Sequence, residues 1–311
     1  MATIVTQAVP TAISATVARA EGANVHDVDT QPALTVQERI ARISDDLWVP
    51  YPQGVDALKR MRRLMDAPSE VRPESLAIVG DPSYGKTHLL KTFYRRHQSV
   101  YRLEGDDGSL NLLHVEMPEK AEPAALLREM HRVLGVGYSM RDPLDELIWR
   151  IVVITDSMQI RLFLIDEVHN AFRGTLRQQQ AFLNVLRGLT NRTKRPLVIA
   201  GTPAVKDFLR NDEQLQERFA CIELPRWSDP GDAQRLMKGF EQELRLQKPS
   251  GLASEETTAL IIRLTGGRMG NICRLLRWAA IEAIRSGTEH LDVARLKVLA
   301  KQLPGTATRP A

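Results

Sequence analysis

Cysteine is scarce in this chain, and long hydrophobic runs are absent. Only two of the 311 residues are cysteine. This is too few for a disulfide scaffold or a thiolate zinc site, so Cys221 and Cys273 are expected in the core or in a lid. The longest apolar runs, such as Ile151–Ile154, are far shorter than the roughly 20 residues of a membrane-spanning helix. The amino-terminal residues lack the basic start and apolar block of a secretory signal. We therefore expect a cytoplasmic protein without a membrane partner.

Glycine and proline are also modest in number, at 19 and 17 residues, and charged residues make up 26% of the chain. This composition excludes wholesale disorder and is typical of globular proteins. The net charge of +4 is too small to establish nucleic-acid binding. Its distribution is more informative, because Arg263–Lys301 holds eight basic residues against three acidic ones. A surface facing a polyanion and an ordinary solvated helical face both explain this excess.

Hydrophobic periodicity divides the chain into four predicted regions. Residues 1–34 show no sustained period and are predicted to be a disordered tail. Residues 35–226 begin with two amphipathic helices around a Pro-rich turn and continue as alternating strands and helices. Residues 227–303 are predicted to be a small helical domain, and residues 304–311 a flexible end. The alternation indicates an α/β fold with a parallel sheet between helical layers, followed by a small all-α domain.

The strands are predicted from short, nearly continuous apolar runs, and the helices from the segments between and after them. The predicted strands are Ser75–Val79, Leu110–Met117, Leu162–Ile165, Leu197–Ala200 and Cys221–Leu224. The predicted helices are Gly54–Asp66, Lys86–His97, Pro123–Leu134, Pro143–Met158, Leu176–Arg192, Ala204–Arg210, Asp229–Leu246, Ser254–Thr265, Asn271–Ser286 and Asp292–Leu303.

A complete G-x-x-x-x-G-K-[ST] motif follows the first predicted strand directly and leads into a helix. Its residues are Gly80, Asp81, Pro82, Ser83, Tyr84, Gly85, Lys86 and Thr87. Such a loop can direct successive backbone N–H groups at phosphate oxygens. Lys86 supplies a positive charge to the β- and γ-phosphates, and the Thr87 hydroxyl can bind Mg²⁺. The pattern predicts a nucleoside triphosphate site rather than a glycine-containing turn alone.

The predicted strand Leu162–Ile165 ends in two acids, Asp166 and Glu167. Ligands of open α/β sheets bind at the carboxyl ends of the strands, where these carboxylates would lie. Asp166 is the candidate ligand of Mg²⁺, and Glu167 the candidate base for the attacking water. By itself, this pattern also fits a strand followed by a helix cap.

The two motifs together resemble the Walker A and Walker B pair of AAA+ ATPases. In that family Thr202, after the strand Leu197–Ala200, would be the sensor-1 residue, and Arg218 would be an arginine finger that acts in a neighbouring subunit. The resemblance therefore implies an oligomer. The alternative for Thr202 is a helix cap, and for Arg218 a surface salt bridge.

A narrower resemblance rests on Trp48–Pro52, Asp166–Asn170, Ala200–Thr202 and Glu223–Trp227. These segments are similar to the TniB group of transposition ATPases, relatives of TnsC, IstB and MuB. The resemblance implies ATP and Mg²⁺ as cofactors and slow, regulatory ATP hydrolysis. It also implies ATP-dependent assembly into a ring or helical filament on target DNA in the bacterial cytoplasm. The expected partners are double-stranded DNA bound largely without sequence preference, a DDE-type transposase and a TniQ-like targeting factor.

Three further groups of residues are assigned through the family resemblance. Trp48 and Tyr51 would flank the adenine, or would only fix their segment to the core, and His88 would lie beside the nucleotide. The usual arginine of the lid helix is missing, because Gly270 stands near that position. Arg268 and Arg274 are the candidate substitutes, and ordinary charge on the lid surface is the alternative for both. The DNA-contacting candidates are Lys120, Arg173 and Arg177.

Two other functions remain open from the sequence. One is an ATP-driven loader or motor, such as a helicase loader or a clamp-loader-like ATPase. The other is a signalling NTPase or kinase with the same phosphate loop, against which Arg218 and the predicted lid argue.

Overall fold

The computed structural model describes residues 34–45, 47–68, 72–97, 111–120 and 122–304. The predicted tail and the predicted flexible end lie almost entirely outside these residues. The helices are α1 Val36–Asp45, α2 Pro52–Asp66, α3 Lys86–His97, α4 Pro123–Val133, α5 Leu144–Ser157, α6 Leu176–Thr193, α7 Ala204–Arg210, α8 Glu213–Arg218, α9 Pro230–Leu244, α10 Glu255–Thr265, α11 Met269–Ser286 and α12 Val293–Ala300. The strands are β1 Ser75–Val79, β2 Leu112–Glu116, β3 Leu162–Asp166, β4 Leu197–Gly201 and β5 Phe219–Glu223.

The five strands form one parallel sheet in the order β2-β3-β4-β1-β5. β1 lies between β4 and β5, with Val79 opposite both Gly201 and Glu223. On the other side of β4, Asp166 ends β3 opposite Glu116 of β2. The segments that follow the strands therefore meet at one edge of the sheet, as the α/β prediction required.

Alternate residues of each strand pack into different hydrophobic clusters, because successive side chains of a strand point to opposite faces. In β1, Leu76 and Ile78 join a cluster with helices α1 to α3 and the carboxyl-terminal helices. Ala77 and Val79 join the other cluster, with α4 to α7. The sheet is thus covered on both faces, and the helices that follow β5 share the core of one face.

The segment that follows β5 is fixed to the turn before α11 by backbone contacts. The Trp227 N–H donates to the Gly267 carbonyl at 2.9 Å, and Arg226 Nε donates to the Gly266 carbonyl at 2.9 Å. Gly267 has φ +65°, and a Cβ there would lie well inside contact distance of the Trp227 carbonyl. The Glu223–Trp227 stretch therefore joins the sheet to the carboxyl-terminal helices.

Sequence patterning located most elements within one to three residues. It missed α8 and a 3₁₀ helix, Val168–Arg173, because both are too short to show a period. The fifth strand was placed two residues late, since β5 is an edge strand with exposed positions at Ala220, Cys221 and Glu223. Cys221 is consequently exposed rather than in the core or lid, whereas Cys273 is half-buried in α11. The boundary at residues 226/227 stays a prediction.

The described residues from Val36 onward belong to one compact unit. Within the described ranges, no helix is both long enough and apolar enough to cross a bilayer.

The contact between Gly267 and Trp227 generates a stability prediction. Gly267→Ala should lower the free energy of unfolding by about 3 kcal/mol or more, because it adds a backbone clash to the cost of a left-handed φ. Gly287→Ala is the matched control, since Gly287 has φ +71° with open space around its Cβ. Its cost should be about 1 kcal/mol. Urea unfolding of both variants measures the difference, and equal costs would contradict the proposed role of the contact.

Candidate functional site

The phosphate-loop motif forms the connection between β1 and α3, in the centre of the sheet. Ser83 and Gly85 have φ +68° and +93°, so the chain curls between the strand and the helix. The Gly80 N–H donates to the Gly201 carbonyl at 3.2 Å and thereby fixes the start of the loop to the end of β4. The end of β4 therefore positions the start of the loop.

Lys86 is the buried cation of this loop. Its Nζ donates to the carbonyls of Gly80 at 2.7 Å and Asp81 at 3.1 Å. Burial lowers the pKa of Lys86, and the charges of Glu167, Asp166 and Asp81 oppose that change. A buried ammonium whose hydrogen bonds go to carbonyl oxygens is stabilised by any anion that enters the loop. Lys86 therefore favours a bound phosphate.

The two acids at the end of β3 differ in their surroundings. The Asp166 side chain is buried, and its Oδ1 accepts from the Glu167 N–H at 2.8 Å. Glu167 has φ +55° and ψ +32°, a left-handed conformation that is uncommon outside glycine and found often at functional sites. Its side chain is partly exposed, with Oε2 3.0 Å from His169 Nδ1. A fixed buried carboxylate thus stands next to a solvent-accessible one.

Sequence reasoning missed how the turn after Glu167 is held. Asn170 is buried, and its Nδ2 donates to the Met117 carbonyl at 3.0 Å. The Met117 N–H in turn donates to the Asp166 carbonyl at 2.8 Å. Asn170 therefore fixes the 3₁₀ helix to the end of β2. In the sequence, the only signal for this role was an amide side chain three residues after Glu167.

Thr202 directly follows β4, the strand between the acidic pair and the phosphate loop. A Cβ on the preceding Gly201 would lie 2.7 Å from Val205 Cγ2 and 3.3 Å from the His169 nitrogen. This close packing fixes Thr202 beside the acidic turn. The Thr202 carbonyl accepts from the Val205 N–H at 3.0 Å, in the turn before α7. The N-cap residue of α7 is Pro203 and no described side chain caps this helix, so the structure gives Thr202 no helix-cap role.

A cavity of about 280 Å³ opens beside the phosphate loop. Trp48, Tyr51, Gly85 and His88 line one side, and residues of α9 and α11 line the other. The rings of Trp48 and His88 are nearly parallel, with centroids 6.0 Å apart, and Trp48 lies 5.8 Å from the Tyr51 ring. Burial raises the pKa of Tyr51 and keeps its hydroxyl neutral. An apolar, aromatic cavity next to a phosphate loop has the composition of a nucleoside pocket.

The start of α11 contacts the phosphate loop directly. The Gly270 N–H donates to the Ser83 carbonyl at 2.7 Å. A Cβ on Gly270 would lie 3.0 Å from that oxygen and 3.3 Å from Ser83 Cβ. An arginine at position 270 would therefore push the helix away from the loop. Of the two predicted substitutes, Arg274 lines the cavity, whereas the exposed Arg268 is not among its lining residues.

Arg218 is not near its own phosphate loop. It ends α8 just before Phe219, which pairs with Ser75 at the amino end of β1. The five residues of β1 separate it from the loop by about 17 Å. Its Nη1 donates to Asn191 Oδ1 at 2.7 Å, and burial followed by the charge of Arg72 lowers its pKa. Arg218 therefore cannot act on a nucleotide bound by the same chain.

The three predicted DNA contacts are exposed and lie beyond the carboxyl ends of β2 and β3. Lys120 Nζ pairs with Glu122 Oε1 at 2.7 Å, whereas Arg173 and Arg177 flank the start of α6. Thr175 caps that helix, because its Oγ1 accepts from the Gln178 N–H at 3.3 Å. This cap fixes the turn between the 3₁₀ helix, which ends at Arg173, and α6, which contains Arg177. The geometry does not bring these residues into the phosphate-loop site.

The residues at the sheet edge fit a nucleoside triphosphate with Mg²⁺. No group of three or more acidic, histidine or cysteine side chains in the described ranges could hold a metal alone. A Mg²⁺ ion that arrives with phosphates needs only one or two protein ligands, and Thr87 and Asp166 can supply these. Phosphates fit the loop and Lys86, and a base fits the aromatic cavity.

Comparisons with known proteins agree with this geometry. Residues 39–229 match the family model described as "Bacterial TniB protein". The structure of the Aeropyrum pernix ORC2 protein with ADPNP and ADP has a TM-score of 0.60 at 14% identity, covering 86% of this chain and 72% of that one. The A. pernix ORC1 protein in complex with DNA has a TM-score of 0.59 at 19% identity, and the match covers 85% of this chain and 68% of that one. Domain III of the Thermotoga maritima replication initiation protein DnaA has a TM-score of 0.50 at 16% identity, and the match covers 82% of this chain and 94% of that one. A sequence search of curated proteins gives no match. The structural likenesses show the AAA+ P-loop fold.

The close approach of Gly270 to Ser83 predicts faster nucleotide release in Gly270→Ala. The added methyl group must move α11 away from the loop and open the cavity. We expect the dissociation rate of a fluorescent ADP analogue, measured by stopped flow, to rise about tenfold. Gly137→Ala is the control, because a Cβ there meets open space. Unchanged release from the Gly270 variant would show that the contact does not hold the cavity closed.

Proposed function

Because the chain belongs to the bacterial TniB family, we propose that it hydrolyses ATP and that its ATP-bound form assembles on DNA. Family and fold together support an ATPase of the transposition-associated kind. The observation that carries the proposal is the buried Lys86 within reach of the charges of Asp166 and Glu167, beside an aromatic cavity. This arrangement provides the parts that phosphoryl transfer to water requires.

Each side chain at the sheet edge has one proposed task. The phosphate loop and Lys86 bind the β- and γ-phosphates, while Thr87 and Asp166 hold Mg²⁺, which neutralises part of the phosphate charge. The accessible Glu167 takes a proton from the water that attacks the γ-phosphorus as the bond to ADP breaks. Thr202 orients that water or a γ-phosphate oxygen. The fixed backbone around Glu167 and Gly201 keeps these groups aligned.

Arg218 is proposed to complete the site of a neighbouring subunit. Its distance from its own phosphate loop supports action in trans, because a guanidinium must touch the γ-phosphate to stabilise developing charge. Its hydrogen bonds to Thr190 and Asn191 hold it at the protein surface next to α6. ATP bound in one subunit would then stabilise the contact with the next, which couples nucleotide state to assembly.

DNA is proposed to bind on the side of the sheet edge that carries Arg173, Arg177 and Lys120. These side chains lie beyond the ends of β2 and β3, and the turn that carries Arg173 follows Glu167 directly. Lysine and arginine contacts to phosphates give salt-sensitive binding with little sequence preference. In this proposal the assembly marks target DNA for a DDE-type transposase, with a TniQ-like factor as a further partner.

The proposal predicts that DNA binding follows the nucleotide state. The wild-type chain should bind a labelled random-sequence duplex with a non-hydrolysable ATP analogue and release it in ADP, as measured by fluorescence anisotropy. Lys86→Ala should lose ATP binding and DNA binding together. Glu167→Gln should bind ATP but not turn it over, and so remain on DNA.

Lys91→Ala is the matched control, because Lys91 is an exposed lysine of the same helix and should behave as wild type. A loader or motor would instead show fast, DNA-stimulated turnover and translocation. Tight ATP binding without DNA binding in any state would favour the signalling NTPase and contradict the proposal.

Action of Arg218 in trans predicts complementation between two inactive variants. Arg218→Ala and Glu167→Gln should each bind ATP without turnover. Mixed in equal amounts, they should regain roughly a quarter of the wild-type rate, because about one interface in four joins an intact Glu167 to an intact Arg218. Phosphate release measures the rate.

A chain that carries both substitutions serves as the control, because its mixture with Glu167→Gln has no complete site and should stay inactive. Normal turnover by Arg218→Ala alone, or no gain on mixing, would overturn the assignment.

A further inference from the structure

The α11 side of the cavity carries an arginine to which no role has been assigned. Arg277 of α11 lines the cavity together with Arg274 and Trp278. Its Nε atom is buried and has no hydrogen-bond partner among the described residues. Among these residues, Arg128 and Arg195 also have a buried Nε without a partner, but their Nη atoms pair with Glu122 and Asp156. The unpaired Nε of Arg277 needs an explanation.

Leaving this donor without an acceptor costs free energy. The guanidinium remains charged inside proteins, so it cannot relieve the cost by losing its proton. A buried N–H without a partner is unfavourable compared with the same group in water, and more so when it belongs to a charged side chain. A ligand in the cavity that presents an acceptor would remove this cost. The surrounding Trp48, His88 and Trp278 leave a planar, apolar ligand as the best fit.

The position of Arg277 along α11 tells which part of a nucleotide it can reach. Gly270 marks the phosphate end of the helix, because its N–H binds the Ser83 carbonyl. Gly270, Arg274 and Arg277 lie on one face of the helix, and all three line the cavity. Seven residues of helix place Arg277 about 10 Å farther along α11 than Gly270. Arg277 therefore lines the same cavity as Trp48, two turns of helix away from the Gly270–Ser83 contact.

We propose that Arg277 donates a hydrogen bond to an acceptor nitrogen of the adenine base and so strengthens nucleotide binding. This inference rests on the proposed ATP site. It differs from the role of the usual lid arginine, which the family resemblance places at the start of α11, near the phosphates. Arg274, one turn closer to the loop, is the residue on this face that remains available to the phosphates or the ribose.

The first test compares ATP and ADP binding to Arg277→Met by isothermal titration calorimetry. A contact with the base weakens both nucleotides by the same factor, which we expect to be about tenfold. A contact with the γ-phosphate would weaken ATP alone. Arg285→Met is the control, because Arg285 is an exposed arginine of the same helix away from the cavity. It should bind both nucleotides as wild type does.

The second test identifies the acceptor by removing it from the ligand. ATP analogues with carbon in place of N1, N3 or N7 are compared in the wild-type chain and in Arg277→Met. One analogue should bind the wild-type chain about tenfold more weakly than ATP, yet bind the variant as ATP does. Arg277→Lys, which keeps the charge but not the planar donor geometry, should recover only part of the affinity.

The outcomes separate this inference from the proposed function. If the wild-type chain binds no ATP, the nucleotide site itself is wrong. If it binds ATP and Arg277→Met binds both nucleotides as tightly as the wild-type chain does, only the role of Arg277 is wrong. The base contact would likewise be overturned if Arg277→Met lost affinity for ATP but not for ADP. An equal loss of affinity for every analogue in both proteins would also overturn it. Thermal unfolding of each variant confirms that a loss of binding does not reflect a loss of fold.

Discussion

The parallel pairing of β1 with β4 and β5 is the constraint on which the rest of the structure depends. It brings the ends of three strands to one edge, so that Gly80, Thr202 and Leu224 begin three adjacent connections. The Gly80 N–H then binds the Gly201 carbonyl, and the Leu224 N–H binds the Val79 carbonyl. The phosphate loop is therefore built on a frame whose geometry is set by the sheet and its two cores.

The carboxyl-terminal helices are connected to the segment after β5 at one point and to the phosphate loop at another. On one side, the Trp227 N–H binds the Gly267 carbonyl, and on the other the Gly270 N–H binds the Ser83 carbonyl. Any movement of the loop would therefore reach α11 through this backbone contact rather than through a long side chain. Arg277 lies on this helix, so the proposed contact with the base would be linked to the position of α11.

Much of the fold follows from the sequence because its signals are local. Buried strands appear as apolar runs, and the ends of α3 and α7 were predicted to the residue. The phosphate loop and the acids of β3 are recognisable because their chemistry requires fixed residue types at fixed spacing. The short 3₁₀ helix and α8 could not be predicted in this way, since neither is long enough to show a period.

The cavity walls were harder to predict because they depend on tertiary contacts. Trp48 and Tyr51 were identified through family resemblance, while nothing in the local pattern separated Arg277 from the other basic residues of its region. Even the exposed Cys221 reflects the sheet order, which places β5 at an edge. The distance between Arg218 and its own phosphate loop likewise becomes evident only when strand pairing is known.

Electron microscopy of the purified protein with random-sequence duplex DNA tests the central claim most directly. Samples with an ATP analogue, with ADP and without nucleotide should be compared at one protein concentration. The account predicts ordered protein-coated DNA with the analogue only. Ordered coats in all three samples, or in none despite tight ATP binding, would contradict an assembly controlled by ATP.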